Sequence, residues 1–309
     1  WVTALVLALV FAAMEWFKVS GVGALNFLSR SETLLPLGAL VASAIVGLGD
    51  DLLNILRIGP KGGGLRMRHR LFLYTVIAAV GAWWFVAKLG WTTTHVPFVG
   101  IVDLGWWFIP FAVFVLIATA FSVNESDGLD GLAGGVLLAS FSAYGAIAFL
   151  GGRYDLAALT GVLVGGLLAF LWFNIPPARF FMGDTGAMSL GITLGILALY
   201  TNTPFLLLII GLPFVLESLS VIVQYASKRI RGKKIFRSTP IHHHFEAIGW
   251  SESKIVMRTW VIGGVCAVLG LVVFLLDRVV LMTTDLFAQI CTDTDRAYPC
   301  DLCGKDLWT

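Results

Sequence analysis

Residues 157–175 read AALTGVLVGGLLAFLWFNI, an apolar stretch without a single charged side chain. Its length matches the roughly 20 residues that an α-helix needs to cross the hydrocarbon core of a bilayer. Gly161, Gly165 and Gly166 are small residues of the kind that let neighbouring membrane helices approach closely. The stretch therefore predicts a membrane-spanning helix inside a packed bundle.

Eight further apolar runs lie along the chain. The nine predicted spans are residues 1–14, 33–49, 71–89, 104–121, 131–150, 157–175, 185–201, 204–226 and 255–281. In the run 204–226 we expect a break or bend at Pro213 and Glu217, because proline frees a backbone carbonyl and a carboxylate in hydrocarbon needs a partner. The predicted fold class is an all-α, polytopic integral membrane helical bundle with about nine transmembrane helices in this chain.

The composition of the whole chain agrees with a membrane protein. Hydrophobic residues make up 58% of its 309 residues and charged residues 13%, about half the usual charged share of roughly 25%. These values exclude a soluble globule, a disordered chain and a collagen-like fibre. Because the net charge is only +2, any steering of anionic partners must come from the positions of the basic residues and not from their total, and no nucleic-acid partner is expected.

The two ends of the sequence differ from its body. The chain begins without Met and its first run is short for a span, so we expect an N-terminal piece to be absent; a cleaved signal sequence is disfavoured because no cationic leader precedes that run. Residues 1–281 are predicted to form the transmembrane domain and residues 282–309 a tail.

The tail contains Cys291, Cys300 and Cys303. They suggest three zinc ligands, for which the tail offers no convincing fourth, or a disulfide, but a disordered end is the first expectation.

Lysine and arginine are distributed unevenly among the loops. Segments 50–70, 122–130, 174–185 and 226–258 carry 5, 0, 1 and 8 of them, which is 14 of the 21 in the chain. Because positive charge stays on the cytoplasmic side, these four segments are predicted to face the cytoplasm. The other loops, including residues 90–103, are then extracytoplasmic.

The unusual polar side chains fall on that same predicted face. They are Asp50, Asp51, Asn124, Asp127, Asp130, Asn174, Asp184, His242, His243 and His244. Each carboxylate alone reads as an ordinary solvated acid, but several at one end of a bundle repel one another and lose hydration unless a cation joins them. Mg²⁺ suits carboxylate oxygens and commonly completes its shell with substrate phosphates. The pattern thus predicts a Mg²⁺ site.

The spacing within the acidic segments adds detail. Asp127 and Asp130 lie three residues apart and share one face if the segment is helical, so both can address one ligand. Asp184 precedes an apolar helix, where backbone N–H groups favour anions. A plain helix cap is the competing interpretation for Asp184.

The three consecutive histidines lack the spacing of a zinc site. Pro240 before them, with Phe245 and Trp250 after them, predicts a structured, half-buried hairpin or helix in which imidazoles can hydrogen-bond phosphate oxygens. Lys61, beside glycines 62–64, belongs to a basic loop that can attract a lipid phosphate, although the glycines alone are weak evidence of phosphate binding. The cations from Lys228 onward are expected chiefly to anchor the chain at anionic headgroups.

These motifs together resemble a known family. Gly49-Asp-Asp51, NESDGLDGLA at 124–133, Asn174, FMGDTG at 181–186 and TPIHHHFE at 239–246, followed by GWSESK, are similar to the polyprenyl-phosphate N-acetylhexosamine-1-phosphate transferase superfamily. The histidine block is similar to the phospho-N-acetylmuramoyl-pentapeptide transferase branch in particular. The similarity extends over about residues 1–281.

The resemblance implies an enzyme of the bacterial inner membrane, usually with ten transmembrane helices and a cytoplasmic active site. Such an enzyme moves phospho-MurNAc-pentapeptide from UDP-MurNAc-pentapeptide to undecaprenyl phosphate, a membrane lipid, and forms lipid I and UMP with Mg²⁺. The resemblance leaves room for a homodimer.

The resemblance also implies roles for single residues. Asp50, Asp51 and Asp184 match catalytic positions, and Asp184 matches the metal ligand. The expected substrate-binding residues are Lys61, Asn124, Asp127, Asp130, Asn174, Phe181, Gln224, His242, His243 and His244. Of these, Phe181 and Asp130 are expected near the uracil. An aspartate acting as a base and one acting as a covalent nucleophile both stay open.

Two departures from the family pattern stand out. Asn54 occupies a position where the family carries Lys, and Glu125 adds a negative charge where Leu is usual. The nearest alternative is a transferase that uses UDP-GlcNAc, which the histidine block disfavours. A transporter or lipid-binding protein is a second alternative, but the chain shows no clear internal repeat or midplane polar residues that would support it.

Overall fold

The computed structural model describes residue 6, residues 31–59 and residues 63–294. Apart from residue 6, the predicted run 1–14 lies outside the described residues, and so do Lys61 and the end of the tail. Within the described ranges the chain is helical, with one short two-stranded sheet. The all-α fold class is confirmed.

Ten α-helices occupy the described residues. In chain order they are α1 (Ser31–Ile55), α2 (Met67–Leu89), α3 (Phe108–Ser126), α4 (Leu132–Leu150), α5 (Tyr154–Asn174), α6 (Gly183–Tyr200), α7 (Leu207–Ile210), α8 (Leu212–Arg231), α9 (Ile241–Ala247) and α10 (Glu252–Thr294). Between α2 and α3, strands β1 (Thr93–Val96) and β2 (Gly100–Asp103) form an antiparallel hairpin.

Most of these helices have the dimensions of membrane spans. Among the described residues, six are long and apolar enough to cross a bilayer, namely α1 to α5 and the part of α10 that ends at Leu281. Helices α7 and α8 make a seventh if the pair counts as one span. Helix α6, which covers the predicted run 185–201, is not among them and begins with the polar turn Gly-Asp-Thr-Gly. The polytopic membrane bundle is confirmed.

Helix α6 lies at the centre of the bundle. Residues 187–200 are all buried, and the helix packs chiefly against α1 and α3. A Cβ atom added to Gly191 would lie 2.7 Å from the Cα atom of Ala120, so these two backbones are in close contact. A helix that is apolar on every side needs such a buried position. Its neighbours therefore determine where its first turn, which carries Asp184, is placed.

Two of the three glycines of residues 157–175, Gly161 and Gly165, do not make the predicted close contact. Helix α5 forms there, but a Cβ atom on Gly161 or Gly165 would meet nothing within 4 Å. Helices α4 and α5 are in close contact at Gly134, for which the sequence also indicated helix packing, and at Gly145; Cβ atoms there would lie 2.9 Å from the side chain of Leu171 and 2.8 Å from Thr160 Oγ1. The prediction was wrong at Gly161 and Gly165 because a run without charges does not reveal which of its faces meets a neighbour.

The predicted bend in the run 204–226 is confirmed. Helices α7 and α8 meet at an angle of 86°, with Gly211 at the break. Pro213 lies in the first turn of α8, where its missing N–H removes no helical hydrogen bond. Glu217 follows one turn later, is buried, and pairs with His242. The bend thus supplies the carboxylate with a partner.

The polar loops occupy two opposite ends of the bundle. At one end the N–H of His95 in the hairpin donates to Asn202 Oδ1, just beyond the C-terminus of α6. At the other end lies Asp184, in the first turn of the same helix. Since an α-helix rises about 1.5 Å per residue, the 18 residues of α6 separate these ends by roughly 27 Å. The segregation of the loops between two ends agrees with the prediction.

Candidate active site

Asp51 at the end of α1 caps the first turn of α6. Its Oδ2 atom accepts hydrogen bonds from the N–H of Thr185 at 3.0 Å and from the Thr185 hydroxyl at 2.6 Å, and its Oδ1 atom accepts from the N–H of Asp184 at 3.3 Å. These contacts satisfy backbone donors that a helix N-terminus leaves open. Asp51 therefore positions Asp184, and the cap that the sequence suggested for Asp184 itself belongs to Asp51.

Close packing makes this cap possible. A Cβ atom on Gly47, one turn before Asp51, would lie 2.6 Å from the Cα atom of Thr185. Only a residue without a side chain allows α1 to approach the start of α6 this closely. The glycine thereby brings the aspartate pair within hydrogen-bonding distance of the α6 N-terminus.

Asp50 and Asp184 meet at the side chain of Arg70, which lies in the first turn of α2. The Nη2 atom of Arg70 is 2.7 Å from Asp184 Oδ2 and is also paired with Asp50 Oδ2. Asp50 is buried and also accepts a hydrogen bond from the N–H of Leu65, while Asn124 Nδ2 donates to Asp184 Oδ1 at 2.5 Å. One guanidinium thus pairs with two carboxylates from different helices and balances only one of their two charges.

Sequence reasoning did not single out Arg70 as a site residue. It appeared only as one of several basic residues in the segment 50–70. A usable signal was present, because two adjacent acids at a helix end require a counter-ion and Arg70 begins a helix at the same end of the bundle. Asn54, by contrast, lies against the backbone of the 63–64 turn, where a Cβ atom on Gly64 would be 2.4 Å from Asn54 Oδ1.

Asp127 lies beside this cluster at the C-terminus of α3 and accepts a hydrogen bond from the N–H of Gly183. Burial raises the pKa of Asp127 from 3.8 to about 7, and the negative charges of Asp184, Asp51 and Asp130 act in the same direction against that hydrogen bond. The region therefore carries more negative charge than its cations balance.

Asp130 and Asn174 hold the loop that joins α5 to α6. Asp130 Oδ2 accepts from the N–H of Ala178 at 2.9 Å. Asn174 is buried; its Oδ1 accepts from the N–H of Gly131 at 3.0 Å and its Nδ2 donates to the carbonyl of Phe180 at 2.9 Å. Both predicted substrate residues thus have contacts that shape the loop, and their contact with substrate stays a prediction.

Phe181 belongs to this loop and is 73% exposed. It lines a cavity of about 280 Å³ together with Phe170, Phe180 and Leu190. An exposed aromatic ring beside a cavity can stack on a flat ligand. The structure therefore leaves Phe181 accessible for the predicted contact with a base.

Gln224 in α8 holds the basic loop that precedes the histidines. Its Oε1 atom accepts from the N–H groups of Ile235 and Phe236 at 2.9 and 3.0 Å, and its Nε2 atom donates to the carbonyl of Phe236 at 2.8 Å. The side chain is buried. Gln224 thus holds this loop in place, and its contact with substrate stays a prediction.

The three histidines lie in helix α9; of the predicted hairpin and helix, the segment forms the helix. Their side chains have different surroundings. His242 is 1% exposed, and its Nδ1 atom lies 3.0 Å from Glu217 Oε2. His243 is exposed and pairs with Glu246 at 2.5 Å, while His244 Nδ1 accepts from the N–H of Arg237 at 3.1 Å. The expectation of a half-buried helix is confirmed.

His242 also links this helix to the acidic loop. A Cβ atom on Gly128 would lie 2.4 Å from His242 Nε2, so only glycine fits at that position. On the other side of the same loop, the N–H of Asp130 donates to Glu252 Oε1 at 2.8 Å. The predicted residues inside the described ranges are thus brought together at one end of the bundle, in three linked groups.

Asp50, Asp184 and Arg70 form the central group of the site, and its two carboxylates are candidate ligands for a divalent cation. Asp184 Oδ2 and Asp50 Oδ2 converge on one cationic nitrogen of Arg70, as two ligands of one cation do. Within residues 31–59 and 63–294, no three His, Cys, Asp or Glu side chains form a group that holds a metal unaided. Mg²⁺ commonly takes only one or two carboxylates and completes its shell with water and phosphate. Asp184 and Asp50 thus offer the one or two carboxylates that such a site uses, and the binding of Mg²⁺ stays a prediction.

The chain is similar in sequence to known proteins. The family model described as glycosyl transferase family 4 matches residues 33–202. A phospho-N-acetylmuramoyl-pentapeptide-transferase of Desulforudis audaxviator is 43% identical over 251 residues, which are 78% of this chain and 74% of that protein. Proteins of the same name from Chloroflexus aggregans and Bartonella quintana are each 39% identical, over 80% and 79% of this chain and 71% and 72% of their own lengths.

The matched family region, residues 33–202, contains Asp50, Asp51, Asn124, Asp127 and Asp184, the residues that meet at the end of α6. The similarity to the named relatives covers more than two thirds of each protein. The chain therefore belongs to glycosyl transferase family 4 and, within it, to the phospho-N-acetylmuramoyl-pentapeptide-transferases.

Proposed function

We propose that this chain transfers phospho-MurNAc-pentapeptide from UDP-MurNAc-pentapeptide to undecaprenyl phosphate, forming lipid I and UMP in peptidoglycan synthesis. Family membership supports this reaction. The observation that carries the proposal is the convergence of Asp50, Arg70 and Asp184 at one end of a membrane bundle. At such an end a water-soluble nucleotide sugar and a lipid phosphate can meet.

The reaction forms one P–O bond and breaks another. An oxygen of the lipid phosphate attacks the phosphorus attached to the sugar, and the bond between that phosphorus and the UMP oxygen breaks. If the lipid phosphate enters as a dianion, UMP leaves as a dianion and no proton is transferred. The chain must therefore mainly align two anions and balance their charge, as phosphoryl transfer generally requires.

Asp50 and Arg70 are suited to this task. Arg70 offers a planar set of donors for phosphate oxygens, and Asp50 holds that guanidinium from a buried position. If the lipid phosphate enters as a monoanion, Asp50 is the group that takes its proton. Both oxygens of Asp50 already contact other groups and the residue is 2% exposed, so this carboxylate is poorly placed to attack phosphorus as a covalent nucleophile.

Mg²⁺ is part of the proposal. Asp184 would hold it, with Asp51 fixing the position of Asp184 through the cap on α6. When bound, Mg²⁺ supplies positive charge that lowers the cost of bringing phosphate groups together. Asn124 keeps the Asp184 carboxylate oriented.

The remaining predicted residues are assigned to substrate binding. Phe181 stacks on the uracil, with Asp130 and Asn174 shaping the loop that carries it. The histidines and Gln224 border the phosphate and sugar region of the bound substrate. Lys61 and Asp127 are the other two residues assigned to substrate binding.

We assign this end of the bundle to the cytoplasmic face of the bacterial inner membrane because its loops carry most of the Lys and Arg. The proposal also includes a homodimer of this chain. Light scattering in detergent measures its oligomeric state.

Substitution of Asp184 tests the proposal. Asp184→Asn should abolish transfer of radiolabelled sugar phosphate to undecaprenyl phosphate, because the amide keeps the size of the side chain but removes its charge. Asp103→Asn, at the exposed end of strand β2 on the other end of the bundle, serves as the matched control and should remain active. If Asp184→Asn inserts into the membrane and still turns over, the metal assignment is wrong.

The choice of nucleotide sugar is tested on the same preparation. UMP release is compared for UDP-MurNAc-pentapeptide and UDP-GlcNAc, with Mg²⁺ and after its removal by EDTA. Release from the first sugar alone, and only with Mg²⁺, supports the proposal. Release from UDP-GlcNAc alone would assign the chain to the other transferases of the superfamily.

A further inference from the structure

A second cavity, with both polar and apolar lining residues, lies at the end of the bundle opposite the candidate active site. Its volume is about 270 Å³, and its lining includes His95, Arg153, Asn202, Asp277 and Arg278. None of these residues belongs to the transfer site. The cavity is therefore a separate candidate for ligand binding.

Long-range hydrogen bonds hold the walls of this cavity in place. The hairpin is joined to α10 by the N–H of Phe98, which donates to Asp277 Oδ1 at 2.7 Å. Arg278 Nη1 donates to the carbonyl of Leu150 at the end of α4, at 2.6 Å. The cavity thus lies between four chain segments that are fixed relative to one another, and it resembles a preformed pocket more than a gap between loops.

The lining carries excess positive charge. Arg153 and Arg278 contribute two guanidinium groups, and Asp277 is the one carboxylate among the lining residues. That carboxylate is already engaged by the N–H of Phe98 and by His95, whose Nε2 atom lies 3.4 Å from Asp277 Oδ2. Guanidinium groups match the geometry of phosphate oxygens. The cavity therefore suits an anion with phosphate-like oxygens.

The position of the cavity indicates the source of that anion. Asp277 and Arg278 lie near residue 281, where the apolar run 255–281 that the sequence predicts as a span ends. Trp106 and Trp107 follow the hairpin and are 84% and 76% exposed, as expected for aromatic residues at a membrane interface. The cavity also has apolar walls, including Ile101, that suit the start of an acyl chain.

We propose that this cavity binds the phosphate group of a membrane lipid in the leaflet opposite the active site. Arg278 and Arg153 contact the phosphate oxygens, and the apolar rim contacts the first part of the acyl chains. The binding is reversible and involves no chemical step. This site is independent of the transfer reaction.

The test uses matched substitutions on the exposed hairpin, where folding is least affected. Ile101 lines the cavity and is 70% exposed, whereas Val99 lies outside it and is 73% exposed. Ile101→Glu adds a negative charge to the cavity, and Val99→Glu adds the same charge beside it. The full chain in detergent is titrated with phosphatidylglycerol, and bound lipid is counted by native mass spectrometry.

We expect Ile101→Glu to weaken phosphatidylglycerol binding about tenfold and Val99→Glu to leave it unchanged. Arg278→Gln should weaken it similarly, while Lys88→Gln at the same end should not. Equal binding by Ile101→Glu and the unaltered chain, or equal loss in both glutamate variants, would overturn the proposal.

Two further probes distinguish the source of the anion. Diacylglycerol with the same acyl chains lacks the phosphate and should not be retained. Inorganic phosphate should not displace phosphatidylglycerol, because it lacks the apolar part. Retention of diacylglycerol, or displacement by inorganic phosphate at equal concentration, would contradict a site for a lipid phosphate.

Discussion

At the scale of single residues, Arg70 connects Asp50 and Asp184, the two aspartates of the proposed transfer site. Arg70→Gln leaves the buried Asp50 and the neighbouring Asp184 without their shared cation. We expect transfer to fall by about 10²-fold, the order seen when a group that stabilises developing charge is removed. Turnover of lipid phosphate measures the loss. Arg68→Gln, two residues away and exposed, is the control and should keep its activity.

The same variant has a second readout. An unpaired buried carboxylate is destabilising, so the melting temperature of Arg70→Gln in detergent should fall below that of the unaltered chain. Added Mg²⁺ should raise the melting temperature of this variant more than that of the unaltered chain, because it replaces the missing cation. An equal effect of Mg²⁺ on both proteins would argue against a cation site between the two aspartates.

Asp127 predicts a pH dependence of stability. Its pKa is raised from 3.8 to about 7 by burial and neighbouring acids, so the folded chain holds this proton more tightly than the unfolded chain does. The resulting stabilisation is fully present below pH 3.8 and is lost as the pH rises through about 7. Thermal unfolding in detergent at pH 5 to 8 measures it.

The matched variant isolates this contribution. Asp127→Asn cannot ionise, so its melting temperature should fall less between pH 5 and 8 than that of the unaltered chain. Asp103→Asn, at the other end of the bundle, should follow the unaltered chain. Parallel curves for all three proteins would show that Asp127 does not carry the effect.

At the scale of helices, the packing of α1 on α6 determines whether the site forms. Gly47→Ala places a Cβ atom 2.6 Å from the backbone of Thr185, so the helices must separate. We expect a loss of about 1–3 kcal/mol in the free energy of unfolding, together with reduced transfer. Gly49→Ala in the same helix meets nothing within 4 Å and should not destabilise the chain. Equal melting temperatures for both variants would contradict this account.

Helix identity was predictable from sequence, whereas helix orientation was not. Apolar runs of about 20 residues and polar breaks located the spans, and the carboxylate in 204–226 indicated a partner that proved to be His242. The facing side of each helix depends on contacts between distant residues. For that reason Gly161 was assigned to a contact it does not make, and the Asp51 cap and the Arg70 bridge were not predicted.

At the scale of the whole molecule, the bundle has one polar region at each end, and the two regions are separated by the length of helix α6. One end carries the acids and Arg70, and the other carries the hairpin cavity with Arg153 and Arg278. A nucleotide sugar is too polar to cross the bilayer, so it can reach only the end that faces its compartment. The orientation of the bundle therefore decides whether the transfer site receives its substrate.

This orientation predicts sided activity. Inverted inner-membrane vesicles, whose cytoplasmic face is outward, should release UMP from externally added UDP-MurNAc-pentapeptide, because most Lys and Arg lie in the loops at the site end. Right-side-out vesicles should release UMP only after detergent opens them, which also controls for the amount of enzyme present. Activity in sealed right-side-out vesicles, with none in inverted ones, would place the acids at the outer face and reverse the assignment of both ends.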